Sequence, residues 1–279
     1  MAEASELLAE AIDIPSLPEI YEKLNRALAD SRTTIKNVAK IVGEDPGVAS
    51  RLLKLVNSPV FGLRTKIGSV SRAVVVVGMQ QLRSLVLGTS VTSLFTNIPR
   101  EFVDMESFWK HSVACALAAK AIAVRRRETS SERFFLAGIV HDIGRLVIYL
   151  KAPEKAFEIL RRCEAEKALA YKVERWILGY DHADVGCELM RKWKLPEFIA
   201  ETVGYHHNPV ASRSYSREAA VVHLADIIAN ALGHGTSGER FVPPLNESAW
   251  LYLDLSPSCL PGIVEEVDDQ VAEVVELIR

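Results

Sequence analysis

The sequence predicts an all-α protein, a multi-helix bundle preceded by a smaller helical subdomain. Three observations carry this. Apolar residues recur with helical period along most of the chain. Pro and Gly fall where such periods begin or end, at Pro46, Pro153 and Pro261 and at Pro196 and Gly233. The one stretch with strand character, Val74–Val77, has no partner run of similar kind, so a short buried helix is the better reading.

In order, Pro15 and Pro18 bracket an entry to an amphipathic helix over Ile20–Leu28. Thr33 or Thr34 can cap a second helix reaching Val42. Glu44-Asp45-Pro46 turns into a third over Gly47–Asn57, and Ser58–Gly62 is a loop. The valine-rich segment Ser69–Gly78 leads to an apolar helix over Met79–Phe95. Asn97-Ile98-Pro99 is the clearest internal boundary.

Beyond it comes a helix from Asp104 to Arg126, ending in the arginines 125–127, which suit a helix C-terminus. Ser130 or Ser131 can cap a central buried helix over Phe134–Leu150. Helices follow over Pro153–Lys167, Asp181–Lys194, Glu197–His207 and Ser216–Leu232. A polar loop covers His234–Asn246, and Leu260–Ile278 closes the chain. Three segments are expected: 1–99, 100–236 and a helical extension 237–279.

Bulk properties exclude several classes. With 279 residues, 49% apolar and 25% charged, the chain can bury a sizeable core. A net charge of −3 gives no footprint for nucleic acid, and 7% aromatics offers few stacking platforms. Cysteines 115, 163, 187 and 259 form no C-x-x-C pair and read as small hydrophobes in a reducing compartment. The acidic N-terminus lacks a secretory pattern, and no run has the length of a membrane span. A cytoplasmic protein without membrane contact is expected.

Chemistry concentrates in FFLAGIVHDIGRLVIYL, residues 134–150, where His141 and Asp142 interrupt an apolar run. A buried imidazole and carboxylate need partners. All seven histidines lie after the Asn97–Pro99 break. His111 shares a helix face with Ala114 and Cys115. Asp226 lies inside VVHLADIIAN, again a carboxylate in an apolar helix. His111, His141, Asp142 and Asp226 supply four ligands for one metal. His182, His206 and His207 serve a second, with Asp142 bridging. On a continuous helix His141 and Asp142 diverge by about 100°, flanking one ion from two sides. Arg145, one turn beyond His141, is placed to meet a phosphate oxygen, so Asp142 and Arg145 are the candidate catalytic residues. The competing reading is a buried hydrogen-bonded network. Cys115, His223 and His234 read as packing residues.

These residues resemble the HD superfamily of metal-dependent phosphohydrolases, with its His…His-Asp…Asp signature. More closely, the chain resembles the HDOD family, the HD-related output domain of bacterial signalling proteins. IPSLPEIYEKL, VAKIVGEDPGVASRLLKLVNSPVFG, FLAGIVHDIGRL and ILGYDHADVGCELMRKWKLPEFIAETVGYHHNP carry the resemblance, which spans about 14–233. It implies an HD-like bundle and metal ligands at His111, His141, Asp142, His182, His206, His207 and Asp226. Two divalent transition metals are implied, iron or manganese before zinc or nickel. Relative to the HD-GYP phosphodiesterases, Asn208-Pro209-Val210 replaces the Gly-Tyr-Pro region, and Ser107 stands where a further carboxylate would. Metal binding without cyclic-di-GMP hydrolysis is therefore expected.

Two functions compete: a metal-binding signalling module whose partners are signalling proteins or a small phosphate-containing ligand, and a phosphohydrolase acting on a nucleotide or other phosphate ester. A third, a helix-turn-helix over Ile35–Asn57 using Ser50, Arg51 and Lys54, is opposed by Glu44 and Asp45 at its second helix. No nucleic-acid partner is expected.

Overall fold

The structure, a computed structural model, describes residues 2–9, 15–95 and 97–278. Among these every regular element is helical, as the apolar period predicts. The chain forms two compact units: Pro15–Phe95 with Gln270–Arg279, and Met1–Ile14 with Thr96–Asp269. The 237–279 segment is thus divided between units, and the last helix passes from one to the other.

Helix α1 is Ala2–Ala9 and belongs with the larger unit. The smaller unit contains α2 (Glu19–Ala29), α3 (Ile35–Gly43), α4 (Pro46–Val56), α5 (Val70–Val77) and α6 (Met79–Val91). Thr34 accepts from the Asn37 backbone N–H and Asn37 answers with its side chain, a reciprocal cap. Asp45 caps α4, with Pro46 in the first turn. Each such cap is worth about 1 kcal/mol. The valine run is helical, as expected, but only partly buried. Ala73 and Val74 face the core, whereas Val75 is 56% and Val76 40% exposed. Four consecutive residues sweep a full helical turn, so a one-sided contact covers only part of the run.

The larger unit continues with α7 (Met105–Arg125), α8 (Glu132–Val140), α9 (Ile143–Lys151), α10 (Pro153–Glu166) and α11 (Ala170–Leu178). Then follow α12 (His182–Lys192), α13 (Glu197–Tyr205), α14 (Ser216–Leu232), α15 (Glu247–Leu253) and α16 (Leu260–Ile278). Helix α7 lies against both α8 and α14, and α12 lies against both α9 and α13. The expected cap at Ser131 does not form: its hydroxyl contacts Glu132 instead.

The central stretch departs most from expectation. Phe134–Leu150 is not one helix: α8 stops at Val140 and α9 starts at Ile143. Asp142 takes φ −99° and ψ 6°, outside the helical region. The break falls on the His-Asp pair itself.

Two glycines bring the helices close around that break. A Cβ on Gly138 would lie 2.5 Å from Cα of Ala116, so α8 rests directly on the α7 backbone. A Cβ on Gly144 would lie 2.0 Å from the His182 carbonyl oxygen, so α9 meets the first turn of α12. These contacts set His141 beside His111 and Asp142 beside His182. Among the described residues, no single helix is long and apolar enough to cross a membrane.

Candidate metal centre

All seven expected ligands converge. His111 projects from α7, His141 and Asp142 from the α8–α9 break, and His182 from the start of α12. His206 and His207 follow α13, and Asp226 lies within α14. Their donor atoms fall into two groups, His111–His141–Asp142–Asp226 and Asp142–His182–His206–His207. Within each, the donors lie within 4.8 Å of one another, and Asp142 belongs to both. Six of the seven residues are buried; His207 is half-buried.

In the first group, Nε2 of His111 is 3.2 Å from Asp226 Oδ1 and 3.6 Å from Asp142 Oδ2. His141 Nε2 is 3.4 Å and 3.3 Å from the same two oxygens. In the second, His182 Nε2 is 2.9 Å and His206 Nε2 3.7 Å from Asp142 Oδ1. His207 Nε2 is 2.9 Å from His182 Nε2.

The outer ring nitrogens explain these orientations. His141 Nδ1 donates to the Gly138 carbonyl at 2.7 Å and His206 Nδ1 to that of Val203 at 2.6 Å. His182 Nδ1 meets Glu174 Oε2 at 2.6 Å. With Nδ1 engaged outward, each of these rings turns its Nε2 toward the cluster. His111 and His141 bring Nε2 to within 3.4 Å of Nε2. The buried His206 Nε2 and Asp142 Oδ1 have no aligned hydrogen-bond partner. Buried acceptors left unpaired are costly in a dry interior. A divalent cation held by the second group would satisfy both atoms, and in both groups the converging imidazole and carboxylate donors fit metal ligation in chemistry as well as spacing.

Electrostatics agrees. Burial disfavours the carboxylate of Asp142, but His141, Arg145 and His182 outweigh it and hold its pKa well below the usual range. Asp226 is likewise lowered against burial, by His111 and His141. Burial and neighbouring imidazoles push His206 down to about 3. For His182, burial and Arg145 oppose the charged form, while Glu174 and Asp142 favour it and raise the pKa to about 9. The cluster holds anionic carboxylates beside imidazoles of opposite tendency, an arrangement that a cation reconciles.

Arg145, the expected phosphate contact, is a core residue. It is 1% exposed and enclosed by carboxylates. Its nitrogens lie 3.6 Å from Asp142, 3.9 Å from Glu174 and 3.8 Å from Glu239. Its charge is committed to the protein's own acids. Ser107 is also committed, accepting from the Thr236 backbone N–H at 3.0 Å. His223 is a satisfied packing residue: it donates to the His206 carbonyl and accepts from the Asn246 backbone N–H. His234 pairs with Asp268 away from the cluster. Cys115 is buried and free, as expected.

Sequence reasoning missed Glu174, Tyr171 and Glu239. The first two lie on α11, which the periodic reading skipped because it is short and its polar residues interrupt the apolar ones. Val173 and Ile177 at i, i+4 with Gly179 as terminator were the available signal. Glu239 lies in the 234–246 loop, where no periodicity exists to mark it.

An all-α domain with two cation-spaced His/Asp groups sharing one carboxylate is the arrangement expected of an HD-type metal-binding domain. The chain belongs to the HDOD family: the HDOD domain model matches residues 14–209. An uncharacterized protein of Treponema pallidum (strain Nichols) is 26% identical over 234 residues, 82% of this chain. The chain spans 44% of the length of that curated relative. Among solved structures, a Geobacter sulfurreducens HDOD domain protein of unknown function is similar at 25% identity and TM-score 0.79, over 99% of this chain and 96% of that one. A Shewanella amazonensis SB2B protein described as a candidate phosphohydrolase is similar at 27% identity and TM-score 0.78, over 100% and 98%. A second protein of that organism, described as a candidate metal-dependent phosphohydrolase, shares the fold at 18% identity and TM-score 0.67, over 100% of both chains.

Proposed function

We propose that this chain is a cation-binding HDOD regulatory module that holds two divalent transition metals, iron or manganese, and signals through protein contacts or a small phosphate-containing ligand. His111, His141, Asp142 and Asp226 would hold one ion, and Asp142, His182, His206 and His207 the other. The observation that carries the regulatory reading is the state of the nearby guanidinium groups. Arg145 is enclosed by three carboxylates, and Arg175 is paired with Asp181 at 2.8 Å and Asp184 at 3.1 Å. Arg145 offers no free forked contact to a transferring phosphoryl group, and Nε and Nη2 of Arg175 are already engaged by two carboxylates. Cyclic-di-GMP phosphodiesterase activity is accordingly not expected, in keeping with Asn208-Pro209-Val210 after the paired histidines.

A second reading, hydrolysis of a nucleotide or other phosphate ester, rests on His207. That residue borders a cavity of about 620 Å³ together with Tyr171, Arg175 and Asn208. A small ligand could reach the second group from there, and two bound cations would supply Lewis acidity toward a phosphate ester. One experiment separates the readings. The protein is purified anaerobically, its metal content is measured, and the Mn²⁺- or Fe²⁺-loaded form is screened against phosphoesters including cyclic-di-GMP. Close to two equivalents without turnover supports the regulatory module. Turnover of any ester that disappears in Asp142→Ala establishes the hydrolase. Negligible metal after reloading overturns both.

A further inference from the structure

Helix α11 carries none of the seven ligands, yet it touches two of them. Glu174 Oε2 accepts from the His182 backbone N–H at 2.8 Å and meets His182 Nδ1 at 2.6 Å. One turn earlier, the Tyr171 ring stacks on the His207 ring, with centroids 4.2 Å apart and planes 16° apart. Tyr171 and Glu174 are three residues apart and so share a helix face. Helix α11 is anchored in turn: Glu239 Oε2 accepts from the Ala170 backbone N–H at 2.8 Å. Glu239 Oε1 accepts from the N–H groups of Arg240 and Phe241, tying the helix start to the 234–246 loop.

The two groups therefore differ in what orients them. In the first, His141 is set by the Gly138 carbonyl of its own helix, and His111 Nδ1 has no hydrogen-bond partner. In the second, His182 leans on a buried carboxylate and His207 on an aromatic face, both from one separate helix.

We propose that Glu174 and Tyr171 are positioning residues for the second cation site, so that α11 governs that site independently of the first. The proposal rests on the two-cation reading. A carboxylate on Nδ1 keeps the proton there, holds the ring plane and makes Nε2 a better donor to a cation. The Tyr171 face restricts the rotation of His207, the ligand least enclosed by protein.

The test is equilibrium dialysis with Mn²⁺ on wild type, Glu174→Gln, Tyr171→Phe and Tyr171→Ala, with folding checked by circular dichroism. Glu174→Gln keeps an acceptor for the backbone N–H and removes the charge. It is expected to weaken one of the two equivalents about 10- to 100-fold and spare the other. Tyr171→Phe keeps the stack and should bind like wild type, whereas Tyr171→Ala should weaken the same equivalent. Wild-type affinity for both ions in Glu174→Gln, or equal loss of both ions in a folded variant, overturns the proposal. If Glu174→Gln fails to fold, the two Tyr171 variants decide: equal binding by Phe and Ala overturns it. A wild type that binds fewer than two ions overturns the two-cation reading instead.

Discussion

A methyl group on Gly144 would sit 2.0 Å from the carbonyl oxygen of His182 and 2.7 Å from the backbone nitrogen of Gly186. Both obstacles are backbone, so no side-chain rotation relieves them. Gly144→Ala should push α9 away from α12 and carry Asp142 away from His182. Overpacking of this kind costs about 1–3 kcal/mol. The expected result is a lower melting temperature together with loss of the second metal equivalent. A variant that melts like wild type and keeps both ions would contradict the packing described.

Asp142 is the carboxylate common to both groups, whereas Asp226 belongs to one. Asp142→Ala is expected to lose both metal equivalents, and Asp226→Asn to weaken one. Metal analysis of the purified variants checks this directly. Equal losses in the two would show that Asp142 does not bridge.

Metal uptake should depend on pH. In chelator-treated protein His182 has its pKa raised to about 9: burial and Arg145 work against the cation, but Glu174 and Asp142 prevail. Below that pH the ring carries two protons, and a metal ion must displace the one on Nε2. Apparent affinity should therefore fall as the solution is acidified, by up to about tenfold per pH unit for a single linked proton. Binding at pH 7.5 should release protons. Calorimetric Mn²⁺ titrations in buffers of different ionisation enthalpy would reveal this, and a buffer-independent heat would rule it out.

Arg145 holds Glu174 and Glu239 together from within the core. Replacing it by Met leaves buried carboxylates without their shared cation. Removing one partner of a buried ionic cluster costs about 3–5 kcal/mol. Urea unfolding of Arg145→Met should show a loss of that size, partly recovered when Glu239→Gln is added. No loss would mean that the carboxylates find water instead.

Much of this protein was legible from its sequence. Helical period, Pro and Gly punctuation and the side-chain cap at Thr34 are local properties, and they placed most of the helices. His141, Asp142 and Asp226 were recognisable because a His or Asp within an apolar helix has few inexpensive fates, and the family resemblance completed the set of seven candidates. Ser69–Gly78 was correctly read as helical but not as partly exposed, because exposure depends on what packs against a segment.

The sequence by itself determined the helical class, the family and the candidate ligand set, since each depends on residue type and short-range order. Only the tertiary structure decided how the ligands meet. An unbroken helix would set His141 and Asp142 about 100° apart, whereas a break at that pair lets both face one cluster. Glu174, Tyr171 and Glu239 acquire their roles from contacts across helices, and Arg145 loses its free charge in the same way. Those contacts follow from where Gly138 and Gly144 allow backbones to touch, which no local pattern encodes.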